Sequence, residues 1–171
     1  LVPQLRKLDS TGKIARAGAA IGGSNRSINR ATDVLSAVML QAGVQMLSPD
    51  FSQATFADGG KDVLAFYTKF GNPASAYYTW SDNFKNSIDG FADGSISMLL
   101  TYAHQIPTIR AKNPFLDFGV APFPQLAGTT KKVTYANYWG LAVSNRSRRP
   151  QAAWNFLLNF IANPSMASLY N

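Results

Sequence analysis

Thr101-Tyr102-Ala103-His104 puts two rings and a hydroxyl where a short apolar strand must give way to a helix. In an open α/β sheet, ligands bind outside the carboxyl ends of strands. Tyr102 and His104 are therefore the first candidates for touching a ligand. A second cluster, Asn137-Tyr138-Trp139-Gly140, sets an amide and two rings beside a glycine that lets the backbone come close. Rings cover the C–H faces of a sugar, while amides, hydroxyls and backbone groups meet its hydroxyl edges. Binding sites in general combine such apolar walls with a few placed polar groups. A third candidate is Trp80, at the end of Tyr77-Tyr78-Thr79-Trp80. Three rings in four residues are too many for a fully solvated loop. This loop is either a lid over the core or a cleft wall.

Covalent chemistry finds less support. His104 is the sole histidine, which argues against a multi-histidine metal site. It also leaves Ser-His-Asp catalysis dependent on one residue, and no Gly-x-Ser-x-Gly elbow occurs. His104 is then either a hydrogen-bonded structural residue or a ligand contact. Asp58, Asp82, Asp89 and Asp93 are the carboxylates nearest to a hydrolase pair. Each has a plainer role, as turn former, helix N-cap, exposed helix face and helix end. Gly22-Gly23-Ser24-Asn25 lacks the glycine spacing and the Lys-Ser/Thr of a phosphate loop. Trp139 either walls a site or fills the core under the helix that follows it. No catalytic residue, metal or cofactor is expected.

Composition sets wider bounds. The 171 residues suffice for one ordinary domain with a core, and a hydrophobic content of 46% describes a globular chain. The absence of cysteine excludes disulfides and thiolate metal sites. No apolar run reaches membrane-spanning length. Sixteen Lys and Arg against nine Asp and Glu give a net charge of +7. The basic residues cluster weakly, at Arg26/Arg30, Lys131/Lys132 and Arg146/Arg148/Arg149. None of these clusters has the interleaved aromatics of a single-strand groove, so no nucleic-acid partner is expected.

Several elements must position the candidates. Leu1, Leu5 and Leu8 suggest the tail of a helix, and residues 13–21 (KIARAGAAI) a strand. Ala31, Val34, Leu35, Val38 and Met39 predict a helix over 29–41 with a core face. A second helix is predicted over 60–70, with Val63, Leu64, Tyr67 and Phe70 inward. Asp82 is a fair N-cap for a helix bearing Phe84, Ile88 and Phe91. Gly94 should close that helix in the left-handed conformation. Ile96–Leu100 and Asp117–Ala121 read as strands, separated by a helix that starts near Pro107 and ends at Asn113-Pro114. Val133–Val143 reads as a further strand or pair of strands. The helix over 151–162 should bury Ala153, Trp154, Leu157, Leu158 and Ile161. With no linker and no repeat, residues 1–171 are expected to form a single domain.

The order of these segments resembles the extracellular solute-binding proteins of sugar-type ABC importers. The resemblance rests on Phe91-Ala-Asp-Gly94, the Met98 strand, the aromatic loop after it and Asp117-Phe-Gly-Val-Ala-Pro-Phe-Pro124. Tyr135–Val143 resembles that family's aromatic-Trp-Gly-aliphatic strand, and Pro150–Leu158 the helix that follows. The fold it implies is α/β: a three-layer, periplasmic-binding-protein type II lobe, with a mixed sheet flanked by helices. The length matches one lobe, the second or C-terminal one, so a first lobe is expected to be missing. The function implied is capture of a carbohydrate or related polar solute between two lobes and its delivery to membrane permease subunits. The location implied is extracellular or periplasmic, with room for a lipid anchor on an absent N-terminus. By position, Tyr102, His104 and the Asn137–Gly140 segment, with Trp80 less directly, are the ligand-facing places. Ser95-Ile96-Ser97 departs from the usual lysine and small residues, which leaves the solute open. The alternative is a stand-alone carbohydrate-binding or interaction domain with no transport role.

Overall fold

The computed structural model describes residues 1–138, 140–163 and 165. The chain divides into two compact units, Leu1–Tyr135 and Ala136–Asn171.

The first unit is organised by its smallest side chains. Ala17, Ala19 and Ala20 are buried, and their size lets another segment lie close alongside. Residues 17–20 run parallel to residues 95–98. Ala17 N donates to Ser95 O (2.9 Å), Ser97 N to Ala17 O (2.9 Å) and Ala20 N to Met98 O (3.0 Å). The chain enters this pairing through a short helix, α1 (Val2–Leu5), and a hairpin of β1 (Lys7–Leu8) and β2 (Ile14–Arg16). The two strands pair antiparallel with an irregular register. Asp9 Oδ1 closes their turn by accepting from Thr11 N and Lys13 N.

Helix α2 (Ala31–Gln41) buries Ala31, Val34, Ala37 and Met39, close to the predicted face. Helix α3 (Ala57–Thr68) starts three residues earlier than predicted and is kinked at Asp58 and Gly59. Val63 and Tyr67 are buried on it, whereas Leu64 is exposed. The backbone after α3 lies against the loop after residue 21. A Cβ on Gly71 would stand 2.4 Å from Gly22 O, and one on Gly22 would stand 2.5 Å from Gly71 N. Both positions therefore require glycine for steric reasons, and Gly22 also has φ +92°.

Helix α4 (Ser87–Ala92) is capped by Asn86, whose side chain accepts from Ile88 N, and not by Asp82. Asp82 turns instead toward the 22–30 loop, where three donors outcompete a helix end. Gly94 closes the helix region at φ +81°, as predicted. Helix α5 (Gln105–Lys112) places Pro107 in its first turn. There the missing N–H costs no helical hydrogen bond.

The fold class is mixed: helices with a small two-stranded antiparallel sheet. The larger mixed sheet of a three-layer lobe is absent among the described residues. Ile96 makes one parallel bridge to Ala17, and residues 117–121, read from sequence as a strand, are not assigned to one. A groove of about 630 Å³ lies against both Ile96–Thr101 and Leu116–Pro124. Phe118 lines this groove, edge-on to Phe91 at 5.7 Å with the Arg110 guanidinium 6.0 Å from its ring.

The second unit contains α6 (Pro150–Phe156), which continues as a π-helix over Leu157–Ile161. The expected buried stripe is not buried. Trp154, Leu158 and Ile161 are exposed, and Ala153 and Leu157 are half-buried. The physical reason is size. A unit this short holds too few residues to wrap a core around a helix that is apolar on most sides.

Candidate functional site

Parallel pairing fixes where a site can form. Residues 17–20 and 95–98 run the same way, so the segments that follow both emerge at one end. These are the 22–30 loop with the start of α2, and the 101–104 turn with the start of α5. A pocket of about 420 Å³ lies there, lined by Arg30, Asp33, Thr101, Tyr102, Phe123 and Tyr135 among others. It is half-open to solvent.

The polar centre of the pocket is the Tyr102–Asp33 pair. The Tyr102 hydroxyl donates to Asp33 Oδ2 at 2.8 Å. A hydrogen bond to a charged acceptor is among the stronger side-chain contacts, worth about 1.5–3 kcal/mol when desolvated and less at this half-buried depth. The Tyr102 ring stacks on His104, with centroids 5.6 Å apart and planes 13° from parallel. Tyr102 is thus fixed at both ends. Asp33 lies in the first turn of α2, where a carboxylate is favoured by the helix dipole.

The loop leading to Arg30 is pinned from below. Asp82 accepts from Ser24 N (2.9 Å), Ser24 Oγ (2.7 Å) and Ser27 Oγ (2.6 Å). Asn29 N donates to Ser87 Oγ at 2.9 Å, and Ser87 N to Ser27 O at 2.8 Å. Partial burial works against ionisation of Asp82, but the serine donors outweigh it and hold its carboxyl below the usual value. Nearby, burial pushes the Tyr67 phenol up to about 12, and the Asp82 charge adds to this. Tyr67 donates its hydroxyl to Gly23 O at 2.9 Å, another tether for the same loop.

The predicted site residues fall in different places. Tyr102 and His104 come together at the pocket end of the fold. Trp80 is a core residue, fully buried, and its indole N–H donates to Ser27 Oγ at 2.9 Å. That fits the lid-over-core alternative for its loop, and Trp80 supports the site only by holding Ser27. Asn137 and Tyr138 belong to the second unit and are exposed. Trp139 lies outside the described residues. Arg30, Asp33 and Tyr135 were not singled out from sequence as ligand contacts. Arg30 and Asp33 sit on the non-core side of a helix start, and only the parallel pairing brings that start beside Tyr102.

Among the described residues no group of three or more His, Cys, Asp and Glu is placed to hold a metal ion. None of their helices is long and apolar enough to cross a membrane.

A model of the bacterial extracellular solute-binding protein family matches residues 6–170. The chain belongs to that family. No curated protein and no solved structure matches it. As a solute-binding protein, it has a small solute as its ligand, an extracellular or periplasmic setting and membrane transport components as its partners. The residues that line the pocket carry rings, hydroxyls and a carboxylate.

Proposed function

We propose that this chain is the substrate-binding part of an ABC importer that captures a carbohydrate or a related polar solute and hands it to the permease. The observation that carries this reading is the Tyr102–Asp33 pair on the wall of the 420 Å³ pocket. A ring fixed by a carboxylate suits a polyhydroxylated ligand: the ring meets C–H groups, and the carboxylate is an acceptor for hydroxyls. The chain then supplies the second of two lobes, and the solute is enclosed when the lobes close about a hinge. The closed, loaded form is the one the permease recognises. In the full protein a lipid anchor on the N-terminal side holds it near the membrane.

Amide chemical-shift titration with a panel of mono- and disaccharides tests this. Shifts should gather at Asp33, Thr101 and Tyr102, with weak affinity because one wall is missing, and Tyr102→Ala should abolish them. Micromolar or tighter binding by this chain alone would refute the half-cleft. A complete lack of shifts with every sugar would overturn the carbohydrate reading.

A further inference from the structure

We infer that Arg30 makes this pocket prefer a hydroxylated solute bearing an anionic group, a sugar acid or sugar phosphate, over a neutral sugar. The inference rests on the solute-capture reading above and adds the charge of the ligand to it.

Among the described residues, Arg30 and Asp33 are the two charged ones on the pocket wall. Their situations differ. Asp33 already receives the Tyr102 hydroxyl. The ion pairs found among the described residues are Lys85–Asp93 and Lys112–Asp89, both outside this pocket. Arg30 thus lines a ligand-sized pocket, and among the described residues no ion pair includes it. A planar guanidinium matches a carboxylate or phosphate through two parallel N–H donors, which an ammonium does not.

The backbone at Arg30 points the same way. Arg30 has φ +61° and ψ 37°, the left-handed conformation, at the residue that starts α2. A residue with a Cβ is strained there, and glycine would not be. The surroundings enforce it: Asn29 N is tied to Ser87 Oγ, while Arg30 O accepts from Asp33 N and Val34 N. Strain of this kind gathers at ligand clamps. The position carries an arginine at the pocket wall, in a backbone conformation that favours glycine. The net charge of +7 also raises the local concentration of anionic solutes around the whole chain.

The test compares glucose, glucuronate and glucose 6-phosphate by amide chemical-shift titration at low and moderate salt. Inorganic phosphate serves as the control. Both acidic sugars should bind roughly tenfold more tightly than glucose, as expected for a charge-assisted bidentate contact. The preference should fall with salt, vanish in Arg30→Gln and persist in part in Arg30→Lys. Arg30→Gly provides a second variant that relieves the strain, so loss of the preference there is not loss of fold. Glucose binding as well as the two acids overturns the inference but leaves the solute-capture reading standing. So does survival of the preference in both Arg30→Gln and Arg30→Gly. Inorganic phosphate matching glucose 6-phosphate would reduce the effect to anion trapping and also overturn it. If none of the three sugars shifts any pocket resonance, the carbohydrate reading itself fails.

Discussion

Trp80 and Trp154 lie in the two units of the chain, the first fully buried and the second 44% exposed. Their neighbours follow them. In the first unit Ala17, Ala20, Ile28, Ala31, Trp80 and Ile96 form one cluster, and two more clusters gather Tyr67 with Phe70 and Met39 with Val63. In the second unit Phe156, Leu158 and Phe160 are all exposed. Both segments are rich in apolar residues, so composition does not separate them. The difference lies in whether a second layer of the same unit is present to cover the first. In the first unit Ala17 and Ala20 cluster with Ala31 and with the partly buried Phe91, and Ala19 clusters with Val34 and Tyr67, so residues of α2, α3 and α4 cover this segment. In the second, the described elements are α6 and the π-helix that continues it.

The sharpest way to break this comparison is to truncate both tryptophans. Trp80→Ala should cost about 3–5 kcal/mol, the range for removing a buried large side chain, because it empties the core and frees Ser27 from its indole partner. Trp154→Ala should cost less than about 1 kcal/mol. Chemical denaturation of each variant measures the gap. Equal costs would mean that Trp154 is as well packed as Trp80 and that the two units do not differ.

Gly71→Ala is the next largest effect within the first unit. The added methyl would press on Gly22 O at 2.4 Å, and neither backbone can yield cheaply. A loss of about 1–3 kcal/mol is expected, the usual range for overpacking. The contrasting change is Gly140→Ala in the second unit, where a Cβ meets nothing within 4 Å. That substitution should be nearly neutral by thermal denaturation.

How far the sequence reached follows the same divide. The helices of the first unit were legible because their apolar positions recur at helical spacing, as Val34 and Met39 on α2 or Val63 and Tyr67 on α3. Gly94 and Asn113-Pro114 marked their ends by backbone rules that need no tertiary information. Asp82 was misread as a cap because its partners, Ser24 and Ser27, are distant in sequence, and no local pattern announces them. The stripe on α6 was misread for a related reason. Periodicity shows which side chains would share a face, but burial depends on a neighbour that periodicity does not supply. At the site, Tyr102 was legible as a ring at a strand-to-helix handover. Arg30 and Asp33 were not, since their place beside Tyr102 follows from parallel pairing of residues 17–20 with 95–98.

A pH titration sharpens the account of the first unit. The serine donors hold the Asp82 carboxyl below its ordinary value of 3.8, so the folded state binds this proton less readily than the unfolded state. The contribution is therefore present above pH 3.8 and lost as pH falls through the folded value. Asp82→Asn should be less stable than the native chain near neutral pH, and the gap should close in acid. Denaturation midpoints measured between neutral pH and the acid limb check the sign. A gap that widened as pH fell would show that Asp82 is not stabilised as the anion.

The smallest effect on stability, and the most direct probe of the second unit, is charging its exposed apolar side chains. Leu158 is 62% exposed and Phe160 56% exposed, so neither side chain gives up much burial when replaced. Leu158→Lys with Phe160→Lys should shift the denaturation midpoint by no more than about 0.5 kcal/mol, the usual limit for surface sites. Contiguous exposed apolar side chains mark places where proteins associate or bind apolar dyes. The double variant should accordingly bind less of a dye such as ANS and sediment with less self-association than the native chain. The same pair of lysines at Val63 and Tyr67, both buried, should unfold the protein. If the Leu158/Phe160 variant proved as damaging as that control, these side chains would have to be covered in solution, and the contrast between the two units would fall with it.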